Sequence, residues 1–263
     1  MTDLSIIIVN HDHLPFLKTG IPSLYGLDSK STVQVVLVDN ASRDGAYEWT
    51  RENYPQIEII RNNIQKGYTE NANLGIRALQ NGRYVILMNP DIVCLPGLLD
   101  ELTGFMDRHP DVGIAGPKLL NPDLSIQPSC RRFSTPETVL LRGLHLDGIF
   151  RRKMAEYLMA DFDHNSVTDV DWVSGALLIV RPEAIAQVGL MDEDRYFLYS
   201  EDQDWCCRMW HKGWRVAYVP QAKAIHVHLR EGIRKPWSRS ARWQLKSAFR
   251  MFQKFGWRLT RRL

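Results

Sequence analysis

Two groups of carboxylates in this sequence could act in catalysis or metal binding, and the first follows an apolar run. The stretch YVILMNPDIVCLPG, residues 84–97, carries one apolar run into Asn89, Pro90 and Asp91 before a second apolar run begins. A continuous apolar run predicts a strand buried on both faces, so Asp91 would stand at the end of such a strand. Carboxylate oxygens are ligands that Mg²⁺ and Mn²⁺ accept. Asp91 is therefore a candidate ligand of a divalent cation.

A second group of carboxylates lies in the aromatic-rich segment at residues 191–214. Glu201, Asp202 and Asp204 stand there beside tyrosine and tryptophan residues. Burial of a carboxylate is costly unless the group has partners or a chemical role. Two interpretations of these carboxylates are open: they form an acid–base site, or Asp202 forms a structural salt bridge with Arg208 or Arg195.

The sequence around these carboxylates predicts strands that alternate with helices. β-branched runs occupy residues 4–10, 33–40, 57–63 and 84–88, and a helical segment at 69–79 precedes the last of them. This rhythm predicts a parallel sheet with crossover helices, and ligands of such sheets bind at the carboxyl ends of the strands. Polar residues finish these strands: Asn10, His11, Asp39, Asn40, Asn62, Asn63, Asn89 and Asp91. Each could also be a simple strand-end or cap residue.

The common phosphate-binding loops are absent from the sequence. No G-x-G-x-x-G follows the first strand, and no G-x-x-x-x-G-K-[ST] occurs anywhere. If the sheet binds a nucleotide, a divalent cation held by a carboxylate would neutralise the phosphates.

The second half of the sequence is less regular. Residues 170–181 predict a strand and 182–188 a short helix, and a later strand ends at His226 and His228. Residues 121–171 show no clear periodicity, and we predict a partly helical insertion over the site.

Composition favours one large globular domain or one domain with an appendage. The chain has 263 residues, of which 44% are hydrophobic and 24% are charged. Its four cysteines show no paired C-x-x-C spacing, which favours a reducing cytosol. No apolar run approaches the ~20 residues of a membrane-spanning helix, and no signal peptide is evident, so we expect a protein that is neither exported nor transmembrane.

Charge is divided between an acidic body and a basic tail. Residues 230–263 carry 11 Lys and Arg with one Glu, a net charge of +10, whereas residues 1–229 carry 22 basic and 29 acidic residues, a net charge of −7. On a helical wheel the tail also forms an apolar face: Leu245, Ala248, Phe249, Phe252, Phe255, Leu259 and Leu263. Such a basic amphipathic helix is typical of membrane-surface binding, and its alternative is a helix packed on the body.

Eight blocks in order resemble the family 2 glycosyltransferases, particularly the rhamnosyltransferase-like branch. The blocks are SIIIVN, VVLVDNASRDG, NNIQKGYTENANLGI, YVILMNPD, DWVSGALLIVRPEA, GLMDEDRYFLYSEDQDWCCR, GWRVAYVP and IHVH. They extend from Leu4 to His228.

The resemblance implies an α/β GT-A fold, a Rossmann-like and mostly parallel sheet flanked by helices. It places a glycosyltransferase domain at residues 1–229, with a nucleotide-binding half at 1–120 and an acceptor-binding, catalytic half at 121–229. Residues 230–263 would form the basic amphipathic helical tail.

The resemblance also implies roles for individual residues. Asn10, Asp39 and Asn40 would meet the nucleotide, with Asp39 at the base. Lys66, Gly67, Asn73 and Asn89 would line the nucleotide and sugar. Asp202 would be the catalytic base, accompanied by Glu201. Trp172, Ser174, Gly175 and Asp204 would contact the acceptor. Asp91 would bind the metal with His226, and His228 is a second candidate.

The implied activity is inverting, metal-dependent sugar transfer in the synthesis of bacterial cell-surface polysaccharide. A single displacement at the anomeric carbon needs a base for the acceptor hydroxyl and a Lewis acid for the departing diphosphate, and Asp202 and Asp91 suit those two parts. The expected donor is dTDP-L-rhamnose or otherwise a UDP-sugar, the cofactor is Mg²⁺ or Mn²⁺, and the acceptor is a saccharide or a lipid-linked saccharide. We expect a cytoplasmic protein, peripheral on the membrane through its tail, that does not bind nucleic acid. A nucleotidyltransferase and a non-catalytic nucleotide-sugar-binding protein are the alternatives.

Overall fold

The computed structural model describes residues 2–79, 82–143, 146, 148–227 and 239–262. The described strands are β1 (Thr2–Asn10), β2 (Val33–Asp39), β3 (Glu58–Arg61), β4 (Gly82–Met88), β5 (Ile92–Cys94), β6 (Val112–Leu120), β7 (Ile126–Gln127), β8 (Cys130–Arg131), β9 (Thr168–Asp169), β10 (Trp172–Val173), β11 (Leu177–Val180) and β12 (Arg215–His226). The described helices are α1 (Leu14–Tyr25), α2 (Ala46–Asn53), α3 (Tyr68–Ala78), α4 (Leu98–Arg108), α5 (Pro136–Gly143), α6 (Arg151–Leu158), α7 (Pro182–Val188), α8 (Glu201–His211) and α9 (Arg239–Phe255).

The first half forms the parallel part of the main sheet. Strand order runs β3-β2-β1-β4, and all three of these pairings are parallel. Each strand returns through a helix, which is the connection that parallel neighbours require. The register places Asn10 opposite Asp39, so the predicted gathering of strand-end residues is present at this edge.

The second half continues the sheet with mixed directions, in the order β4-β11-β6-β12-β5. β11 runs antiparallel to β4 and β6, whereas β12 is parallel to β6 and antiparallel to the short β5. The last pairing aligns His226 with Ile92. This pairing therefore places His226, the last residue of β12, beside the residue that follows Asp91, although the two segments are far apart in the sequence.

Apolar residues cover both faces of the sheet, which explains the continuous apolar run of β1. Ile7 belongs to one apolar cluster, whereas Ile6 and Ile8 belong to the other. Successive strand residues point to opposite faces, so a strand with helices on both sides needs an apolar side chain at every position. The expected α/β sheet flanked by helices is confirmed.

The segment at 121–171 contains short strands and the helices α5 and α6, in agreement with a partly helical insertion. The indole nitrogen of Trp172 donates to the carbonyl of Arg132 at 2.8 Å, and the amide of Phe133 donates to Asp171 at 2.8 Å. These bonds fasten the insertion to the strand that leads into the predicted acceptor residues.

Helix α9 packs on the body with part of its predicted apolar face. Ala248, Met251 and Phe252 are buried, whereas Leu245 and Phe249 are about half exposed, at 49% and 51%. One side of α9 therefore packs on the body, as the alternative to membrane binding predicted, and the other side is a mixed apolar and basic surface. Within the described residues, no helix combines the length and hydropathy that crossing a bilayer requires.

Candidate functional site

Asp39 and Asn10 present buried, unsatisfied acceptors at the carboxyl edge of the sheet. Asp39 is fully buried, and neither of its carboxylate oxygens accepts a hydrogen bond from a described residue. Arg61 Nε lies 3.5 Å from Asp39 Oδ2. Asn10 donates to Ser42 at 3.0 Å, and its Oδ1 has no partner in the described part of the chain. Buried acceptors without donors are costly, so this edge is suited to a ligand that brings N–H groups.

The loop before α3 is held by Asn40 and by a close backbone approach at Gly67. Asn40 Nδ2 donates to the Lys66 carbonyl at 2.9 Å, and its Oδ1 accepts the Lys66 amide at 2.8 Å. A Cβ on Gly67 would lie 2.8 Å from the Phe197 carbonyl. Asn40 therefore positions Lys66, whose Nζ forms a 2.6 Å ion pair with Glu70.

Asn73 connects α3 to the segment before α8. Its Nδ2 donates to the Met191 carbonyl at 2.8 Å and to Glu193 at 2.7 Å, while its Oδ1 accepts the Met191 amide at 3.2 Å. Hydrogen bonds within the protein therefore occupy the side-chain amide of this fully buried residue. In this structure Asn73 holds the two segments together.

Asp91 and His226 meet where β12 pairs with β5. Gln127 Nε2 donates to Asn121 Oδ1 at 3.0 Å and to the His226 carbonyl at 3.3 Å, so its Oε1 accepts from His226 Nδ1 at 2.6 Å. The other ring nitrogen of His226, Nε2, then faces Asp91 Oδ2, which lies 3.3 Å away. Burial opposes ionisation of Asp91, but the hydrogen bond and charge of His226 hold the pKa of Asp91 below its usual value.

This pair fits part of a divalent-cation site. A carboxylate oxygen beside an imidazole nitrogen, with the histidine oriented through its second ring nitrogen, is a common arrangement of protein ligands around a metal. No group of three or more His, Cys, Asp or Glu able to hold a metal occurs among the described residues, so a diphosphate and water would complete the coordination. His228 lies outside the described residues.

One cavity of about 340 Å³ brings the two halves of the predicted site together. The predicted residues that line it are Asn89, Trp172, Ser174, Gly175, Glu201, Asp202 and His226. The cavity therefore extends from His226, which faces Asp91, to the predicted base. Asn10, Asp39, Asn40, Lys66, Gly67, Asn73 and Asp91 are not among its lining residues.

Asp202 is fixed in the cavity wall by backbone amides. Its Oδ2 accepts the Gly175 amide at 3.0 Å, and its Oδ1 accepts the Gln203 amide at 2.8 Å. Burial raises the pKa of Asp202, although these two amides oppose the rise. Burial, and then the negative charge of Asp202, also raises the pKa of Glu201. Raised carboxyl pKa values in a cavity are typical of acid–base sites.

Comparison with known proteins identifies the family. The model of "Glycosyl transferase family 2" matches residues 5–125, and that of "Glycosyl transferase family group 2" matches residues 84–263. An N-acetylglucosaminyl-diphospho-decaprenol L-rhamnosyltransferase of Mycobacterium tuberculosis is 33% identical over 92% of this chain and 81% of its own length. The chain belongs to glycosyltransferase family 2.

Two further similarities agree with this glycosyltransferase assignment. Rhamnosyltransferase WbbL of Escherichia coli is 27% identical over 93% of this chain and 90% of its own length. The structure of GalNAc-T7 with UDP, GalNAc and Mn²⁺ superposes with a TM-score of 0.70 and 16% identity, covering 96% of this chain. The chain spans about half, 48%, of that solved protein, and the superposition confirms the GT-A fold.

Asp204 requires a correction, because in this glycosyltransferase it does not line the cavity. It is fully buried, and its carboxylate contacts Arg208 at 2.6 Å, Lys254 at 2.7 Å and the Tyr196 hydroxyl at 3.0 Å. These contacts leave no surface for an acceptor. Asp204 instead anchors α9 to α8, as the arginine one helical turn later could have indicated.

Several residues that line the cavity of the glycosyltransferase, or orient its side chains, were not predicted from the sequence. Tyr68, Arg131, Arg142 and Gln203 line the cavity, and Gln127 orients His226. Burial, followed by the charges of Glu201 and Asp202, raises the pKa of Tyr68. Gln203 directly follows Asp202 and could have been suspected, whereas Arg131 and Arg142 lie in the segment without periodicity.

Proposed function

We propose that the protein catalyses inverting transfer of a sugar, L-rhamnose from dTDP-L-rhamnose in the first place and otherwise the sugar of a UDP-sugar, in bacterial cell-surface polysaccharide synthesis. The observation that carries the proposal is the single cavity that reaches from His226, beside Asp91, to Asp202. Inversion needs one group on each side of the anomeric carbon, and these residues supply them.

The choice of donor follows from the relatives and from Asp39. The Mycobacterium tuberculosis and Escherichia coli relatives are both named rhamnosyltransferases. The unsatisfied carboxylate of Asp39 is suited to accept the imide N–H of thymine or uracil, which present the same donor at that position.

Asp202 is the proposed base. Its carboxylate takes the proton of the acceptor hydroxyl as that oxygen attacks the anomeric carbon, and the amides of Gly175 and Gln203 keep it oriented. Asp91 and His226 would hold a Mg²⁺ or Mn²⁺ ion, which supplies Lewis-acid stabilisation of the departing diphosphate when bound.

The proposed acceptor is a saccharide attached to a lipid through a diphosphate. The Mycobacterium tuberculosis relative is named for such an acceptor, a diphospho-decaprenol. The cavity also has an apolar side formed by Val139, Leu245 and Ala248 from α5 and α9, which suits the first part of a lipid chain.

The exposed side of α9, together with Trp257 just after its end, is the proposed contact with the cytoplasmic face of an anionic membrane. Leu245, Phe249 and Trp257 are 49%, 51% and 62% exposed, residues 239–262 contain no acid, and exposed Arg242 and Lys246 adjoin the apolar side chains. Exposed apolar and basic side chains together are typical of interfacial helices, and each cation near an anionic leaflet contributes about 1 kcal/mol.

Vesicle binding tests the membrane contact. Because α9 packs on the body through Ala248, Met251 and Phe252, its deletion would remove buried side chains together with the exposed ones, so Phe249→Ser with Trp257→Ser is the better variant. We expect loss of salt-sensitive co-sedimentation with anionic vesicles. Ile64→Ser is the matched control, since Ile64 is 70% exposed and lies outside α9. Equal binding by both variants and wild type would reject the contact.

A product assay tests the reaction. The purified protein is incubated with Mg²⁺ or Mn²⁺, dTDP-L-rhamnose or UDP-sugars, and a short-chain lipid diphosphate saccharide, and the anomeric configuration of the product is determined. Asp91→Ala should abolish transfer and the metal-dependent part of nucleotide diphosphate binding. Full activity in excess chelator would reject the metal, pyrophosphate release would indicate a nucleotidyltransferase, and binding without turnover would indicate a non-catalytic protein.

A further inference from the structure

Two arginines line the cavity without carboxylate partners. Arg131 and Arg142 both belong to its wall, and neither forms an ion pair with an acid of the described residues. The Arg131 guanidinium lies 4.8 Å from the centre of the Trp172 ring, and its buried Nε has no hydrogen-bond partner in the described part of the chain. Arg142 Nη1 donates to the Tyr157 hydroxyl at 3.3 Å. The two cations therefore retain donors for a ligand.

Gln203 adds a buried donor to the same wall. Its side chain is only 3% exposed, and its Oε1 accepts the Ser134 hydroxyl at 2.8 Å. The Nε2 group has no hydrogen-bond partner among the described residues. An amide donor buried at a cavity without a partner is costly, and an acceptor oxygen from a ligand would satisfy it.

A chain of hydrogen bonds connects this wall to the proposed base. The backbone N–H of Gln203 donates to Asp202 Oδ1 at 2.8 Å, and the side-chain oxygen of Gln203 accepts the Ser134 hydroxyl. Ser134 lies 3.3 Å from the Tyr157 hydroxyl, which accepts from Arg142. The wall therefore begins beside Asp202 and continues to α5.

Beyond Arg142 the cavity becomes apolar. Val139 and Leu245 line it there, and a Cβ on Gly143 would lie 3.5 Å from Leu245. The wall of the cavity therefore combines a carboxylate, donors with cations, and apolar side chains. A lipid diphosphate saccharide carries the matching groups: a sugar hydroxyl, a diphosphate and a hydrocarbon chain.

We infer that Arg131, Arg142 and Gln203 bind the diphosphate of the acceptor, an inference that rests on the proposed function. Guanidinium groups bind phosphate oxygens through paired, charge-assisted hydrogen bonds. The diphosphate of the donor is assigned elsewhere, to Asp91 and His226. Arg142 lies on α5, which packs against α9, so it is close to the apolar side chains of α9 that the proposed function assigns to the lipid of the acceptor.

Binding of farnesyl diphosphate tests this inference without knowledge of the acceptor sugar. The protein is first saturated with dTDP or UDP and Mg²⁺ to occupy the donor site, and farnesyl diphosphate is then titrated by calorimetry. Arg142→Gln should weaken binding roughly 10- to 100-fold, the range of a lost charge-assisted hydrogen bond. Arg142→Lys should give an intermediate loss, because it keeps the charge but not the planar fork.

The control is Arg152→Gln, which removes the same charge from a side chain that is 95% exposed on α6 and lies outside this cavity. It should bind farnesyl diphosphate as the wild type does. Thermal melting establishes that each variant is folded. If Arg142→Gln fails to fold, Gln203→Glu provides the test, since its negative charge should repel the diphosphate by a similar factor.

The outcomes separate this inference from the proposed function. Equal farnesyl diphosphate binding by wild type, Arg142→Gln and Gln203→Glu would overturn the inference while sugar transfer itself stood. Weaker binding of dTDP or UDP by Arg142→Gln would assign the cation to the donor and would also overturn it. Binding of farnesyl diphosphate that the variants weaken, in a protein without transfer, would support the site and reject the proposed reaction.

Discussion

Asp39 and Asp204 are equally buried, yet their surroundings are opposite. Both side chains are fully shielded from solvent. Asp204 contacts two cations and a hydroxyl between 2.6 and 3.0 Å, whereas Asp39 accepts no hydrogen bond from a described residue and has only Arg61 at 3.5 Å. Side chains of the protein satisfy the carboxylate of Asp204, whereas no described residue donates a hydrogen bond to that of Asp39.

Burial alone therefore does not identify a functional carboxylate. A buried charge is tolerated when it is paired and hydrogen-bonded, and the structure achieves this for Asp204 by packing α9 against α8. Asp202 is intermediate: backbone amides hold both of its oxygens, but its side chain lines the cavity. The three residues should therefore respond differently to the same isosteric substitution, aspartate to asparagine.

Asp202→Asn should have the largest effect, on turnover. The amide keeps the shape of the side chain but cannot accept the proton, and loss of a general base lowers the rate roughly 10²- to 10⁴-fold. Steady-state kinetics would measure the fall in kcat, and calorimetry with the nucleotide would show unchanged affinity. Loss of nucleotide affinity in parallel with kcat would make Asp202 a binding residue.

Asp204→Asn should act next most strongly, on stability. Breaking a buried ion pair costs up to about 3–5 kcal/mol, and the cost here should be at the lower end or below it because Arg208 and Lys254 are 17% and 23% exposed and Lys254 keeps its ion pair with Asp192. Urea unfolding would measure the free energy, and kinetics below the unfolding transition should give near wild-type turnover per folded molecule. A variant of unchanged stability with a raised KM for the acceptor would instead support the original prediction that Asp204 contacts the acceptor.

Asp39→Asn should leave stability nearly unchanged and weaken nucleotide binding about tenfold. The difference between a charged and a neutral hydrogen-bond acceptor is roughly 1–1.5 kcal/mol, and the native carboxylate has no hydrogen bond to lose. Calorimetry should show the same fractional loss for the free nucleoside and the nucleotide sugar. Loss confined to diphosphate-containing ligands would contradict the assignment of Asp39 to the base.

The sequence was most informative where local pattern determines position. Apolar runs that end in Asn10, Asp39 and Asn89 predict strand ends, and parallel pairing brings such ends to one edge. The sequence did not indicate whether Asn40 and Asn73 offer their amides to a ligand or to the chain. That distinction depends on which backbone groups lie within 3 Å, which spacing does not encode.

Contacts between distant segments could not be predicted from the sequence. His226 reaches Asp91 only because β12 pairs with β5, and Gln127 orients it from 99 residues away. Arg131 and Arg142 enter the cavity from an insertion without periodicity. The division of the α9 stripe into a buried and an exposed side likewise depends on where α9 packs on the body.

Glu201→Gln should have the smallest effect on turnover and a distinctive effect on stability. Burial and the charge of Asp202 raise the pKa of Glu201, which favours its protonated form, so the amide of glutamine resembles the native side chain and turnover should stay near wild type. A carboxyl whose pKa is raised by folding stabilises the protein at low pH, and this contribution is lost as pH rises through the raised pKa, by at most about 1.4 kcal/mol per pH unit. Wild type should therefore lose stability between acidic and mildly alkaline pH more steeply than the variant, as measured by urea unfolding across that range. A fall in kcat comparable to that of Asp202→Asn would instead assign Glu201 a part in the proton transfer.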